Sequence, residues 1–212
     1  PTPTPTATPT FTPTPTPTPS NNPLYLSLGS NGTVGGVSAG DEDILRFDGT
    51  TWSLFFDGSD VGVGSLDLDA FYLFNPNDPN TDILMSFDKA TTLNGIAVDN
   101  FDVVRFHPTS LGVNTAGTFS LYFDGNDVGL DTTGENIDAL ELLPDGRLLV
   151  SANHDKTARV WSVDTGKLLR TMPAREELQS VAFSPDGETV AIGGIWGAIH
   201  RWNVRTGTTG PD

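Results

Sequence analysis

The chain has 212 residues, 36% of them apolar, with 23 Gly, 16 Pro, no Cys and a formal charge of −16. That length suits one domain of ordinary size or two small ones. The missing cysteine excludes a disulfide framework, a thiolate nucleophile and a thiolate metal site. No run of about 18 apolar residues exists to span a membrane, and the negative charge speaks against nucleic-acid binding and docking on anionic lipid.

Residues 1–22 read as a linker. The first twenty hold eight Pro and nine Thr, broken only by Ala7, Phe11 and Ser20. Proline fixes φ and lacks a backbone donor, so neither a helix nor a central strand forms. The expectation is a disordered, extended polyproline-like segment of roughly 60 Å at about 3.1 Å per residue. It is either a plain spacer or an O-glycosylated stalk, and both place the chain outside the cell or on its surface. Pro1 follows no Met, basic region or apolar region, so no signal peptide is visible. The reading adopted is an excerpt from a longer protein.

From Leu24 onward the apolar residues come in short runs. Asp43–Phe47, Trp52–Phe56, Leu68–Phe74, Ile83–Phe87, Val103–Phe106 and Phe119–Phe123 are β-branched or aromatic stretches divided by Gly, Asn, Asp and Pro. No window carries a helical period over eleven residues, so the chain is predicted to be all-β.

Three internal matches organise these strands. Residues 24–47 match 83–106, with Asp43/Asp102 and Arg46/Arg105 among the identities. Residues 52–63 match 119–130 with eight identities, which centre on Phe-Asp-Gly-x-Asp-Val-Gly; the altered offset places eight extra residues around Thr109–Ala116. Residues 137–166 match 178–207, sharing Pro144/Pro185, Trp161/Trp202 and Gly166/Gly207. The implied unit is a four-stranded antiparallel sheet with strands a, b, c and d. Three, four, four and three strands are expected in succession, fourteen in all. Either a four-bladed ring closes imperfectly or further blades lie outside the excerpt.

The segment LLPDGRLLVSANHDKTARVWSVDTGKLLRTM, followed by LQSVAFSPDGETVAIGGIWGAIHRWNVRTG, resembles two WD40 repeats. The resemblance implies a β-propeller and a structural hydrogen-bond network of Ser/Thr, Asp, Trp and His. Ser151, Asp155 and Trp161 match its first three members. The His is absent, since Thr133 and Ala174 stand at its position, and Ile192 and Trp196 replace Ser and Asp in the last copy. Trp202 is expected to be structural. Residues 23–140 form an acidic propeller-like part, similar to repeats of bacterial secreted proteins that carry FDGSDVG-type motifs. Residues 141–212 form the WD40-like part of one continuous propeller.

The acidity is uneven. Residues 21–140 carry 18 acids against 3 bases, whereas residues 141–212 carry 9 against 8. Asp57 and Asp60 recur as Asp124 and Asp127, and each pair on its Gly-containing loop is a candidate Ca²⁺ site. The preferred reading is that these Asp-Gly steps are turns capped by carboxylates. Asp78-x-Asn80-x-Asp82 fails as an EF-hand because Ile83 and Lys89 stand where Gly and Glu are needed. The remaining acids suit a solvated face that maintains solubility.

Little points to chemistry. His107, His154 and His200 fall in different units without metal-ligand spacing and read as turn or sheet residues. No nucleophile elbow, phosphate loop or dinucleotide motif appears. Asn31-Gly-Thr33 fits a glycosylation sequon but is turn chemistry first. Trp196, in the turn Gly193–Gly197, is the candidate binding contact, because an exposed aromatic stacks on sugars or anchors a protein. The expectation is a non-catalytic extracellular or cell-surface propeller that binds a protein or glycan, or acts as a scaffold, without a cofactor. The alternatives are a polysaccharide-active hydrolase or lyase and a Ca²⁺-stiffened surface repeat.

Overall fold

In the computed structural model, the described residues are 22–208 except 131 and 144. The Pro-Thr segment up to residue 21 and the Pro144 position of the repeat lie outside the described residues. The first unit contains β1 (Leu24–Leu26), β2 (Gly32–Val34), β3 (Val37–Ala39), β4 (Ile44–Phe47) and β5 (Trp52–Phe56). The second contains β6 (Leu68–Leu73), β7 (Ile83–Phe87), β8 (Thr91–Leu93), β9 (Ile96–Val98), β10 (Val103–Ser110) and β11 (Ala116–Phe123). The third contains β12 (Ile137–Leu142), β13 (Leu148–Asn153), β14 (Thr157–Ser162) and β15 (Leu168–Pro173). The fourth contains β16 (Leu178–Phe183), β17 (Thr189–Gly194) and β18 (Ile199–Asn203).

These strands make four antiparallel sheets in the orders β1-β4-β5, β6-β7-β10-β11, β12-β13-β14-β15 and β16-β17-β18. They are the blade-like units of a partial β-propeller, with three, four, four and three strands. Two features differ from the sequence expectation. The connections from β1 to β4 in blade 1 and from β7 to β10 in blade 2 fold as small hairpins, β2-β3 and β8-β9. The boundary drawn at residue 140 falls inside β12, which is the first strand of blade 3.

Alternation along each strand serves two interfaces at once, because successive side chains point to opposite faces. All five residues of β7 are buried. Ile83, Met85 and Phe87 join a core shared with Ile44, Phe55 and Phe56 of blade 1. Leu84 points the other way, into a core with Ile137, Leu149 and Trp161 of blade 3. Blade 3 repeats the arrangement: Val150, Ala152 and Val160 pack on Leu178, Val190, Ile192 and Trp202 of blade 4. Each interior sheet is therefore apolar on both faces, and each blade packs chiefly on its neighbours in sequence.

The eight extra residues of the second copy lengthen β10 and β11 into a hairpin that reaches blade 1. The Gly112 N–H donates to the Phe55 carbonyl at 2.8 Å, and Phe56 and Gly112 form a parallel bridge. The Thr115 N–H donates to Asp60 Oδ2 at 2.9 Å, while the Asp57 N–H donates to Thr115 Oγ1 at 2.9 Å.

Candidate functional site

The acidic repeat motif folds as a latch. In Phe-Asp-Gly-x-Asp-Val-Gly, a single 3-10 turn spans Ser59–Val61 or Asn126–Val128, closed by Gly62 at φ 87° or Gly129 at φ 83°. The left-handed backbone explains the terminal glycine. Asp57 Oδ1 accepts from the Ser59 N–H at 3.2 Å and from its hydroxyl at 2.6 Å. Asp124 Oδ1 accepts from the Asn126 N–H at 3.0 Å. Asp60 serves the Thr115 contact, and Asp127 lines a cleft with Val128 and Trp161.

The inner glycine of the motif meets an aspartate that the sequence marked only as an identity. Buried Asp43 accepts from the Gly40 N–H at 2.8 Å and the Gly58 N–H at 2.9 Å. Asp102 does the same for the Asp99 and Gly125 N–H groups, both at 2.8 Å. A Cβ on Gly58 would stand 2.5 Å from Glu42 Cγ, and one on Gly125 2.6 Å from the Phe101 carbonyl. Among the described residues, no group of three or more His, Asp or Glu is arranged to hold a metal. The Asp57–Asp60 and Asp124–Asp127 pairs lie in separate blades. Asp78 caps the Asn80 N–H at 2.9 Å, and Asn31 accepts from the Asp41 N–H at 3.1 Å.

In blade 3, Trp161 Nε1 donates to Ser151 Oγ at 3.1 Å, and the Ser151 hydroxyl donates to Asn153 Oδ1 at 3.0 Å. Asn153 Nδ2 continues to the Glu135 carbonyl at 2.9 Å. Asp155 stands apart from Ser151. Its Oδ1 caps the Thr157 N–H and hydroxyl at 2.9 and 2.6 Å, and its Oδ2 pairs with Arg159 at 2.6 Å. Arg159 also meets Glu135 at 3.1 Å. Thus Asn153 is the direct partner of Ser151, and Asp155 belongs to an ion-paired branch. Trp202 is buried in the core between blades 3 and 4.

A second polar cluster joins the first strands of adjacent blades. Asn136 Nδ2 donates to Asp69 Oδ2 and to Asp138 Oδ1, each at 2.9 Å. Burial pushes the Asp69 carboxyl up to about 7, aided by the nearby charges of Asp138, Asp67 and Asp88 and opposed by the Asn136 bond. Burial likewise lifts Asp138 to about 6, with His154 opposing. His154 Nε2 lies 2.8 Å from Glu177 at the entrance to blade 4. His200 lies in blade 4, its Nε2 4.0 Å from Glu176.

Trp196 occupies the turn between β17 and β18 and is 77% exposed. Ile195 beside it is exposed, and Ile199 at the start of β18 is 71% exposed. The turn itself is fixed. Buried Glu176 accepts the Trp196 N–H at 2.5 Å, and the Glu177 carbonyl accepts the Ile195 N–H at 3.1 Å. An outward indole on an anchored turn, flanked by two isoleucines, has the chemistry of a contact surface.

Comparison with known proteins agrees with the blade geometry. Residues 130–162 and 166–203 match the family described as WD domain, G-beta repeat. The chain is 32% identical over 72 residues to the Periodic tryptophan protein 2 homolog of Schizosaccharomyces pombe, covering 34% of this chain and 8% of that protein. It is 40% identical over 73 residues to mouse WD repeat and SOCS box-containing protein 1, covering 33% and 17%. It is 37% identical over 70 residues to the S. pombe Pre-mRNA-splicing factor cwf17, covering 32% and 21%. The matched part of this chain thus spans about a fifth or less of each of these relatives. The family match over two successive blades, together with the WD-repeat relatives, makes residues 130–203 a WD40-repeat segment.

Proposed function

We propose that the chain is a binding or scaffolding propeller unit that recognises a protein partner through the Trp196 rim of blade 4. The observation that carries this reading is the indole's 77% exposure on a turn that buried Glu176 holds in place. A rigid aromatic anchor costs little side-chain entropy on binding, and such residues dominate interface energies. WD40 relatives whose names include a splicing factor and SOCS-box proteins favour a protein partner. An exposed indole also stacks on sugar rings, so a glycan is the second occupant of the same rim.

The extracellular or cell-surface setting rests on the Pro-Thr composition of residues 1–20 and the excess of acids in residues 21–140. The names of the relatives lend it no support. The test compares wild type with Trp196→Ala and Ile199→Ser in affinity capture and glycan-array binding, with melting curves as the control. Loss of one defined partner in both variants at unchanged melting temperature is the expected result. A partner set indifferent to both substitutions overturns the assignment of this rim.

A further inference from the structure

Blade 2 presents a second feature on its outer strands. His107 on β10 has Nε2 3.0 Å from Ser120 Oγ on β11 and Nδ1 3.1 Å from Oδ1 of Asp82, the residue before β7. The cross-strand register creates this line, since Arg105 pairs with Ser120 on one side of β10 and Phe106 pairs with Ile83 on the other. The two oxygens of Asp82 have separate duties. Oδ1 faces His107, while Oδ2 accepts from Arg105 Nε at 2.9 Å and from Arg105 Nη2. The guanidinium is itself seated 4.5 Å over the Phe74 ring. A carboxylate fixed in this way selects the tautomer with the proton on Nδ1 and leaves the Nε2 lone pair toward the serine.

The first copy of the repeat supplies an internal comparison. It keeps the arginine and the serine as Arg46 and Ser53, but has Pro23 and Asp48 where the second has Asp82 and His107. The sheet therefore forms without this hydrogen-bonded line. Farther along β11, Tyr122 lines a cleft of about 280 Å³ with Val128, Leu149, Trp161, Val163 and the acids Asp124 and Asp127. Tyr122 follows Ser120 by two residues on β11, where the pairing with β10 shifts register between Leu121 and Phe123.

We propose that Ser120 is an acyl-accepting nucleophile, with His107 as its general base, Asp82 as positioning residue, and the Tyr122–Trp161 cleft receiving an apolar acyl group of an ester. Ser120 Oγ attacks the ester carbonyl carbon as its proton passes to His107 Nε2. The carbon–oxygen bond to the alcohol then breaks, and the departing oxygen takes that proton. Water attacks the acyl-serine, giving a proton to Nε2 and restoring Ser120 as the carboxylic acid leaves. Ser120, His107 and Asp82 lie on blade 2, the cleft reaches Leu149, Trp161 and Val163 of blade 3, and none of these residues belongs to the Trp196 rim, so the site stands or falls independently of the binding role. It also departs from the sequence expectation that His107 is only a sheet residue.

The experiment uses the whole chain with p-nitrophenyl butyrate as substrate and an alkyl fluorophosphonate as covalent probe, read by intact and peptide mass spectrometry. One adduct per chain, located on Ser120, is expected, together with p-nitrophenol release above the buffer rate. Ser120→Ala should abolish both, and His107→Gln should lower the labelling rate at least about a hundredfold, the low end of general-base effects. Asp82→Asn should displace the pH–rate profile as well as lower it, which a merely structural change would not do. Circular dichroism and melting curves establish that each variant is folded; Ser120→Val, which also removes the hydroxyl and suits a strand, serves in place of Ser120→Ala should the latter fail to fold. Absence of an adduct on Ser120 in excess probe, or labelling unchanged by His107→Gln, overturns the proposal.

Discussion

Replacing Asp69 by Asn tests whether the carboxyls between blades 2 and 3 oppose folding at neutral pH. Burial raises the Asp69 carboxyl from 3.8 to about 7. A displacement of roughly three units at about 1.4 kcal/mol each sets a ceiling of about 4 kcal/mol. Below the unfolded value, both states are protonated and the group costs nothing. As pH rises, the unfolded chain releases its proton first, so stability falls until the folded carboxyl has ionised, near 7. Asp69 is only partly buried, and solvent screening reduces the effect to roughly 1–2 kcal/mol. The substituted amide retains a carbonyl to accept from Asn136 Nδ2, so the hydrogen bond at 2.9 Å need not be lost. Urea denaturation followed by tryptophan fluorescence should find Asp69→Asn more stable than wild type by roughly 1–2 kcal/mol at about pH 8, the gap closing toward about pH 4. A gap independent of pH, or a variant less stable at about pH 8, refutes the reasoning.

Other sites give separate readings. Asp43→Ala removes the acceptor of two backbone N–H groups and should cost about 2–4 kcal/mol by chemical denaturation, with Asp43→Asn costing less because one acceptor remains. Ser151→Ala leaves Trp161 Nε1 without its acceptor in the core and should cost about 1–3 kcal/mol, with loss of near-ultraviolet dichroism from that indole. Gly117→Ala places a Cβ 2.4 Å from the His107 carbonyl and 2.5 Å from the Phe106 ring; a shift of β11 and a melting temperature lower by several degrees are expected. If Asp57 and Asp124 act only as caps, adding Ca²⁺ or EDTA should move the melting midpoint by less than about 1 °C, and a larger shift would assign a cation to these loops.

The sequence disclosed what depends on local pattern and repetition. Ile83–Phe87 and Trp52–Phe56 are strands with the bounds the residues suggested, because a short apolar run between turn formers has few other ways to be buried. The hairpin β8-β9 carries a local signal: Asn94-Gly95 turns with φ 51° and 83°, the combination that a tight two-residue connection favours. Gly35-Gly36 plays the same part between β2 and β3, with φ 57° and 87°. The polar stitches were less accessible. Asn136 meets Asp69 across 67 positions, and Ser120, His107 and Asp82 align only once the register of three strands is known. The identity of Asp43 and Asp102 was visible, but the glycine N–H groups they receive come from beyond the following hairpin.

Glu176 and Glu177 connect the packing of blade 4 to its exposed rim. Glu177 faces back to His154 in blade 3 at 2.8 Å, and its carbonyl accepts from Ile195. Glu176, buried beside it, accepts from Trp196. Two consecutive residues of the connection into β16 thus pin two consecutive amides of the turn, so the indole is presented from a backbone fixed against the preceding blade. Glu176→Ala removes one pin, exposing the turn to local opening at a cost of about 1 kcal/mol. Hydrogen exchange at the Trp196 amide should accelerate while amides in β13 and β14 keep their protection, and partner affinity should fall because the anchor must be ordered on binding. Glu176→Gln, whose carbonyl still accepts, should restore most of the protection. Unchanged exchange at Trp196 in Glu176→Ala would mean that the carboxylate does not hold the turn, and the preorganised rim would lose its physical basis.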